Sequence, residues 1–374
     1  MELKIVNFIK SHSNWEELLT SSPYNLSIKR DGKLILFKYN QINSDFNEEI
    51  CCEARGLILE EGTWKVVRMA FKKFFNIGES YAAKIDWNTA VATEKIDGSI
   101  ISVFYYDGKW RIATNSTIDA FKAELNGVGP YKTFGELFES VLPLSTFANY
   151  NKHRCWTFEL VSPYNKVVIN YPETKAYLLS VRDMDSLEEL TLDAVEMLAD
   201  ANGFTVPERY DLNNEADYRK VVEQMPEGHE GIVVRDANGE RVKIKTLLYF
   251  EMHHAKNNGV LTLERIVSLI RENDHYEFLS YFPEYQSIFD KVKRQLDRVE
   301  VVKEKIQQDV AQWKRENADV YEQDTRMARK WFAQDVARGQ YAALYFAAYD
   351  NHLNEAITSM RTDQLIRAFN IKED

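Results

Sequence analysis

The sequence contains few cysteines and no long apolar run. Its three cysteines, Cys51, Cys52 and Cys155, show no Cys-x-x-Cys spacing, and no two histidines have the His-x₃₋₅-His spacing that would complete a zinc site. No run of about 18 apolar residues occurs that could form a transmembrane helix. The N-terminus, MELKIVNFIK, carries a charge every few residues and does not resemble a signal peptide. We therefore expect a reduced, cytoplasmic protein with no membrane association.

Two further absences narrow the function classes. The motif G-x-x-x-x-G-K-[ST] is missing, which disfavours P-loop ATPases. Positive charge is not in excess, because the sequence has 47 Lys and Arg residues and 58 Asp and Glu residues, which gives a net charge of −11. A polyanionic partner must therefore bind a local basic surface, since the mean field of the protein repels it.

The hydrophobic pattern of the chain indicates two domains with different secondary structure. Of the 374 residues, 45% are apolar, enough for sizeable cores in about two domains. Up to about residue 245, short β-branched and aromatic runs alternate with turn residues: KLILFKY, WKVVRMAF, ISVFYYDGKWRIAT, WTFELV, KVVINY and AYLLSV. Asp107-Gly108 and Asn238-Gly239 are predicted hairpin turns. We predict an α+β domain over residues 1–254 with much antiparallel sheet.

Two helical features are also predicted. The segment Ser186-Leu187-Glu188-Glu189 resembles a capping box at the start of a helix that Asn202-Gly203 would end. After about residue 255 the pattern becomes helical throughout. One long amphipathic helix is predicted from apolar residues spaced by threes and fours: Val292, Leu296, Val299, Val302, Ile306, Val310 and Trp313. Residues 255–374 are therefore predicted to form an all-helical C-terminal domain.

The most informative short segment is Thr93-Glu94-Lys95-Ile96-Asp97-Gly98. A free lysine has a pKa of about 10.4 and is almost fully protonated at neutral pH. It becomes a nucleophile only where nearby cations, a metal or desolvation favour the neutral amine. This segment alone favours interpreting Lys95 as a solvated turn residue.

A second candidate segment is RVKIK, residues 241–245. In a strand, Arg241, Lys243 and Lys245 lie on one face, and Val242 and Ile244 face the core. The preceding run, Glu230-Gly231-Ile232-Val233-Val234, is its predicted hairpin partner, which brings a carboxylate towards the lysines. Such a group suits a magnesium-bound polyphosphate, although it also suits an ordinary surface ion pair.

The order of four segments resembles a known superfamily. Lys95-Ile96-Asp97-Gly98, Phe158-Glu159, Glu230-Gly231-Ile232-Val233-Val234 and Lys243-Ile244-Lys245 resemble the signature of covalent nucleotidyltransferases, which include DNA ligases, RNA ligases and mRNA capping enzymes. Further segments are similar to the T-even bacteriophage RNA ligase 1 family: Phe37–Asn40, Glu53–Gly56, Lys73–Asn76, Val161–Val168 and Tyr249. The resemblance extends from about residue 35 to 275.

The resemblance implies roles for individual residues. Lys95 would attack the α-phosphate of ATP and form a lysyl-AMP. The ATP site would be formed by Tyr39, Arg55, Lys73, Glu94, Glu159, Lys243 and Lys245. Tyr249 would act on RNA or in the ligation step, and Mg²⁺, or Mn²⁺ in its place, would be bound by Glu230, Asp97 and Asp274. The chain departs from the family at Thr114-Asn115-Ser116-Thr117, where Asn115 replaces an expected basic residue.

The function that the resemblance implies is an ATP-dependent RNA ligase that joins RNA 3′-OH and 5′-phosphate ends, with nicked tRNA in RNA repair as an expected substrate. If the protein is viral, we expect it in the host cytoplasm. The C-terminal domain is expected to select the RNA substrate. Two alternatives remain open at this point. A DNA ligase or a capping-type nucleotidyltransferase shares the four segments, but those enzymes usually continue into an OB-fold and not into charged helices. A non-catalytic RNA-binding scaffold is the second alternative.

Overall fold

The computed structural model describes residues 2–41, 43–125, 129–212, 214, 217–226, 228–246, 249, 261–272, 275–323, 325–336 and 339–372. The chain divides into two compact units, residues 1–259 and 260–374. The division predicted from the sequence, after residue 254, falls in a stretch outside the described residues. No described helix is long and apolar enough to cross a membrane.

The strands of the first unit form three sheets. Their bounds are β1 Ser27–Asp31, β2 Leu34–Lys38, β3 Arg55–Glu60, β4 Val66–Arg68, β5 Phe75–Asn76, β6 Val91–Glu94, β7 Ser99–Tyr106, β8 Lys109–Thr114, β9 Arg154–Val161, β10 Lys175–Asp183, β11 Arg209–Tyr210, β12 Gly231–Arg235 and β13 Arg241–Lys245. The sheet orders are β1-β2-β3-β4, β10-β9-β7-β8 and β11-β6-β12-β13-β5. All pairings among these strands are antiparallel except the parallel pair of β13 and β5.

Helices connect these strands. They are α1 Lys4–Ser11, α2 Trp15–Thr20, α3 Glu49–Glu53, α4 Phe134–Glu139, α5 Leu192–Asn202 and α6 Asp217–Gln224. Short 3₁₀ turns lie at Ala120–Lys122 and Leu144–Phe147. The first unit thus combines antiparallel sheets with helices, as the sequence predicts.

Both predicted hairpin turns are confirmed. Asp107 and Gly108 join β7 to β8 with φ values of 50° and 79°, the left-handed pair that a two-residue hairpin requires. Asn238 and Gly239 lie in the loop between β12 and β13, where the Asp236 carboxylate accepts the Asn238 and Glu240 amides. Local turn chemistry therefore sets the pairing of both hairpins.

Two local predictions are wrong. The run KVVINY, residues 166–171, is not a strand, because the Asp97 carboxylate binds the amides of Val168 and Ile169 that a neighbouring strand would otherwise pair. Ser186 does not cap a helix either. Helix α5 begins later, where the Thr191 hydroxyl accepts the Ala194 amide, although it ends at left-handed Gly203 as predicted.

The described residues of the second unit form helices and no strand. The helices are α7 Leu263–Glu272, α8 His275–Tyr281, α9 Gln286–Glu316, α10 Ala318–Gln323, α11 Thr325–Asp335, α12 Ala342–Tyr349, α13 Leu353–Thr358 and α14 Thr362–Phe369, with 3₁₀ turns at Pro283–Tyr285 and Gly339–Tyr341. Helix α9 has 31 residues and is the predicted long amphipathic helix. It buries Val292, Val299, Ile306, Val310 and Trp313, while Leu296 and Val302 are only partly buried.

Candidate active site

A cavity of about 810 Å³ lies in the first unit. Seven of the residues predicted from the sequence line it: Tyr39, Arg55, Lys73, Glu94, Lys95, Glu159 and Lys243. Among the described residues, seven Lys and Arg side chains line the cavity against four glutamates. The acidic protein therefore has a local surface with excess positive charge, which an anionic ligand requires.

Lys95 directly follows β6 and is held by the β-hairpin of β12 and β13. Its backbone amide donates to the Gly231 carbonyl at 2.8 Å, next to the β6–β12 pairing. Its ammonium donates to Glu230 Oε2 at 2.6 Å. The Lys95 side chain is 22% exposed, whereas that of Glu230 is 4% exposed. The predicted nucleophile thus lies at the cavity wall, with a buried carboxylate as its ion-pair partner.

Two glycines near Lys95 are required by close backbone contacts. A Cβ at Gly98 would lie 2.5 Å from the Leu160 carbonyl oxygen of β9. A Cβ at Gly231 would lie 2.0 Å from the Ile244 carbonyl oxygen, and Gly231 has φ of 152°. Only glycine allows these approaches without a backbone shift. The glycines that follow Asp97 and Glu230 therefore let β9 and β13 pack against the Lys95 segment.

Asp97 has a positioning role in this structure. Its Oδ2 accepts the amides of Val168 at 2.8 Å and Ile169 at 2.7 Å, and its Oδ1 accepts the Tyr249 hydroxyl at 3.3 Å. The Tyr171 hydroxyl in turn accepts the Asp97 amide. Asp97 is 5% exposed and is not among the cavity-lining residues. These bonds tie the segment after β9 to the Lys95 turn.

Strand β13 has the predicted two faces. Val242 and Ile244 are buried in an apolar cluster of this sheet, and Arg241 and Lys243 line the cavity. Lys245 differs from this pattern because it is only 5% exposed, and its ammonium lies 5.6 Å from the centre of the buried Tyr249 ring. Neither Lys245 nor Tyr249 lines the cavity. The structure therefore separates two lysines that the sequence treats as equivalent.

Aromatic rings surround two of the cavity cations. The Lys73 ammonium lies 4.7 Å from the ring centres of both Tyr39 and Phe46. The Arg55 guanidinium lies 4.7 Å from the ring of Phe71, and its Nη1 is buried without a hydrogen-bond partner among the described residues. Cation–π contacts of this kind hold a charge without neutralising it. Both cations thus retain charge for a ligand.

The cations of the cavity change the pKa of the Tyr39 hydroxyl. Burial favours its neutral form, but Lys73, Arg55, Lys243 and Lys38 together outweigh burial and lower the pKa of Tyr39 below its usual value. The lowered pKa shows that the Tyr39 hydroxyl lies close to four positively charged side chains at the cavity.

Glu159 is a buried carboxyl on β9 at the cavity wall. Burial raises the pKa of Glu159 to about 8, the nearby charges of Lys95 and Arg55 oppose this effect, and those of Glu230 and Asp97 reinforce it. Glu159 is therefore mostly a neutral carboxyl at pH 7, able both to donate and to accept hydrogen bonds.

Glu94, also at the cavity, lies 2.8 Å from His229 Nδ1 through its Oε1. Asp274, the remaining predicted metal ligand, lies outside the described residues. Among the described residues, no group of three or more His, Cys, Asp or Glu side chains could hold a metal ion by itself. Glu230 and Glu94 nevertheless offer carboxylates, and Mg²⁺ typically uses one or two of these together with phosphates and water.

Sequence reasoning missed a buried ion cluster at the cavity. Glu189, predicted to belong to a capping box, is instead bound by Arg182 at 2.8 Å, by Arg235 at 3.4 Å and by Arg241. These arginines hold the pKa of Glu189 below its usual value although burial opposes them. Since Arg235 and Arg241 line the cavity, Glu189 orients two of its cations. No local pattern marks this contact.

The turn Thr114-Asn115-Ser116-Thr117 also lines the cavity. The Asn115 side chain accepts Arg68 Nη2 at 3.0 Å, and the Ser116 hydroxyl accepts the Lys38 ammonium at 2.7 Å. Lys38 was given no role from the sequence, although it belongs to the family-like segment Phe37–Asn40. The absence of a basic residue in the turn is thus accompanied by two basic side chains from other strands.

Comparison with known proteins identifies the relatives of this site. A family model described as RNA ligase, of the T4 type 1 group, matches residues 53–255. The RNA ligase of Rhodothermus phage RM378 is 27% identical over 326 residues, covering 71% of this chain and 73% of the phage protein. A "Putative bifunctional polynucleotide kinase/RNA ligase" of Autographa californica nuclear polyhedrosis virus is 26% identical and covers 68% of this chain. This chain spans only 38% of the length of that baculovirus protein.

Solved structures show weaker likeness. One is described as "Putative ATP-dependent DNA ligase from Aquifex aeolicus", with 14% identity, a TM-score of 0.47, and coverage of 74% of this chain and 75% of that chain. Likeness at this level carries no functional information. The family match, in contrast, covers more than half of the chain and includes Lys95, Glu159, Glu230 and Lys243. The chain therefore belongs to the RNA ligase family.

Proposed function

We propose that this protein is an ATP-dependent RNA ligase that works through a covalent lysyl-AMP on Lys95. The observation that carries the proposal is the position of Lys95 at a cavity of about 810 Å³ with seven cationic side chains against four glutamates. Nucleotidyl transfer is catalysed mainly by positioning and by neutralising phosphate charge, and such a lining supplies both. Membership of the RNA ligase family supports the same chemistry.

The proposed reaction has three steps. In the first, the neutral Lys95 amine attacks the α-phosphorus of ATP, so that a P–N bond forms, the bond to the β-phosphate oxygen breaks and pyrophosphate leaves. In the second, a 5′-phosphate oxygen of RNA attacks the same phosphorus and the P–N bond breaks. In the third, an RNA 3′-hydroxyl attacks the 5′-phosphorus, and AMP leaves.

Residues of the cavity have separate tasks in this scheme. Arg55, Lys73 and Lys243 bind triphosphate oxygens, and Lys243 lies in β13 of the hairpin that holds Lys95. Glu159 contacts the ribose hydroxyls, and Glu94 also belongs to the ATP site. Lys245 also belongs to the ATP site. Tyr249, whose ring lies 5.6 Å from the Lys245 ammonium, acts on RNA or in the ligation step. Glu230 must exchange Lys95 for another partner before the amine is free to attack.

Magnesium is the proposed metal, with manganese as a substitute. Glu230 would hold it together with phosphate oxygens and water. Mg²⁺ is commonly bound by one or two carboxylates in such a mixed set of ligands, and the buried Glu230 carboxylate beside Lys95 suits this role. When bound, the ion neutralises phosphate charge. Asp97 contributes indirectly, because its oxygens already accept two backbone amides and the Tyr249 hydroxyl. The proposed physiological substrate is RNA with broken ends, such as nicked tRNA.

Labelling with nucleotides tests the proposal. The protein is incubated with Mg²⁺ and each α-labelled nucleoside triphosphate, and ATP should give a covalent label that is acid-labile and alkali-stable, as expected of a phosphoramide. The labelled protein should then seal a 5′-phosphorylated RNA. Labelling by GTP alone would instead indicate a capping-type enzyme, and sealing of nicked DNA without sealing of RNA would indicate a DNA ligase.

A further inference from the structure

Lys38, the last residue of β2, reaches from one sheet to a turn of another. Its ammonium donates to the Ser116 hydroxyl at 2.7 Å, although the two residues are 78 positions apart. Ser116 lies in the turn that follows β8 and lines the cavity. This hydrogen bond fixes the end of a flexible side chain beside the proposed nucleotide site.

No carboxylate among the described residues lies within 4.0 Å of the Lys38 ammonium. Burial lowers the pKa of Lys38, and of its charged surroundings Tyr39 opposes this effect while Lys29 adds to it. A partly buried ammonium usually has an anionic partner, because a hydroxyl replaces only part of its hydration. The charge of Lys38 therefore lacks a counter-charge within the described part of the first unit.

The neighbours of Lys38 are also cations. Arg55 is its direct cross-strand partner between β2 and β3 and leaves Nη1 buried without a hydrogen-bond partner in the described residues. Behind them, fully buried Arg68 donates to Ser102 Oγ and Asn115 Oδ1 and to the Gly56 carbonyl. None of these three cations forms an ion pair with a described carboxylate. Lys38 and Arg68 contact the Thr114–Thr117 turn, which carries no charge of its own, and Arg55 lines the same cavity as this turn.

We propose that Lys38, held by Ser116, is an additional phosphate-binding residue of this enzyme. The inference rests on the proposed ligase function and adds a residue to its site. A phosphate group at the cavity would provide the counter-charge that Lys38 and Arg55 lack, through charge-assisted hydrogen bonds. The phosphate comes either from the ATP triphosphate or from the 5′-phosphorylated RNA end, since both must enter the same cavity.

Lys38→Met tests this role, with Lys33→Met as the matched control at an exposed position just before the opposite end of β2. One arm measures the rate of Lys95 adenylylation over a range of ATP concentrations. The other arm starts from preformed enzyme-adenylate and measures transfer of AMP to 5′-phosphorylated RNA in a single turnover. Loss of a charge-assisted phosphate contact should weaken one arm by about tenfold or more.

The affected arm identifies the phosphate. A higher ATP requirement with normal transfer assigns Lys38 to the triphosphate, and slow transfer with normal adenylylation assigns it to the RNA end. Lys38→Arg, which keeps the charge, should retain more activity in that arm than Lys38→Met. If Lys38→Met behaves like Lys33→Met in both arms, the inference is overturned while the ligase function stands. If the unmodified protein forms no adenylate, the ligase function itself fails.

Ser116→Ala provides a second test that keeps the lysine. Without the hydroxyl, the ammonium is no longer held at the turn, and the same arm should weaken by about threefold. This variant carries the test if Lys38→Met does not fold, as judged by thermal unfolding. Unchanged rates of both steps in Ser116→Ala would then overturn the inference.

Discussion

At the residue scale, the central feature is the Lys95–Glu230 pair. An ammonium 2.6 Å from a buried carboxylate is held in place but is not yet a nucleophile. In the proposed mechanism, the amine becomes reactive when Glu230 exchanges it for a metal ion, because nearby cations and desolvation favour the neutral amine. The contact with Glu230 therefore holds the Lys95 side chain at the cavity wall.

Replacement of Lys95 tests its role directly. Lys95→Ala removes the amine, and Lys95→Arg keeps a charge but presents a guanidinium that stays protonated and cannot attack. We expect both variants to lose covalent labelling by α-labelled ATP, while Lys109→Ala, an exposed control in the β7–β8 hairpin, labels normally. Persistent labelling of either Lys95 variant would assign the nucleophile to another residue.

Glu159 leads to a prediction about pH and stability. The carboxyl loses its proton near its ordinary pKa of 4.5 in the unfolded chain but only at a pKa of about 8 in the folded protein. The folded state thus binds more protons between these values, and the Glu159 contribution to stability falls as pH rises from 4.5 to 8. Glu159→Gln cannot ionise, so it should gain stability relative to the unmodified protein over this range.

Thermal or denaturant unfolding at several pH values measures this difference. The gain for Glu159→Gln should be on the order of 1–3 kcal/mol at about pH 8 and small near about pH 5. Glu124→Gln changes an exposed carboxylate at the same cavity and is the matched control. A stability difference that does not vary with pH would contradict the raised pKa of Glu159.

At the element scale, the β12–β13 hairpin organises the site. Its first strand follows Glu230, its second strand presents Arg241 and Lys243 to the cavity, and Gly231 allows the two strands to approach closely. The hairpin also pairs with β6, the strand that leads to Lys95. A single supersecondary element thus connects the proposed nucleophile, its carboxylate partner and two cavity cations.

Side chains of β13 alternate between the cavity and the buried core, and this alternation predicts how Lys243→Met affects activity and stability. This change removes a cavity charge and leaves the buried face of Val242 and Ile244 intact, so adenylylation should slow by about 10²-fold or more with little loss of stability. Labelling rates and thermal unfolding of Lys243→Met and of the exposed control Lys220→Met measure both effects. An unfolded Lys243→Met protein would mean that Lys243 is structural.

At the scale of the whole molecule, the proposed chemistry belongs to one unit. Every cavity-lining residue, together with Glu230, Asp97 and Tyr249, lies in residues 1–259. The described residues of the second unit are helical and carry basic side chains at Lys291, Arg294 and Arg298 on α9. Backbone contacts from such side chains would fix an RNA without recognising its sequence. We propose that this unit selects the RNA substrate.

Truncation separates the two roles. A chain of residues 1–259 should still form the lysyl-AMP, but should lose the preference for nicked tRNA over a linear oligonucleotide. Sealing rates of both substrates, measured with the full-length and shortened chains, give the ratio. An unchanged ratio would show that the helical unit does not select the RNA, and loss of labelling would show that adenylylation requires it.

The sequence by itself determined the local features of this protein. The two hairpin turns, the two faces of β13, the end of α5 at Gly203 and the long helix α9 follow from turn chemistry and from periods of two or 3.6 residues. The order of the four motif segments indicates a covalent nucleotidyltransferase, and the further segments around them indicate the RNA ligase family. Each of these features is carried by residues that are close together in the chain.

Only the tertiary structure decided which distant residues meet. Lys38 and Ser116 are 78 positions apart, and Lys95 and Glu230 are 135 positions apart. Asp97 converts the apolar run of residues 166–171 into a loop, and three arginines turn Glu189 from an expected helix cap into a buried anion. Hydrogen bonds and ion pairs depend on spatial proximity, which local pattern does not specify, and burial then decides how much each charge matters.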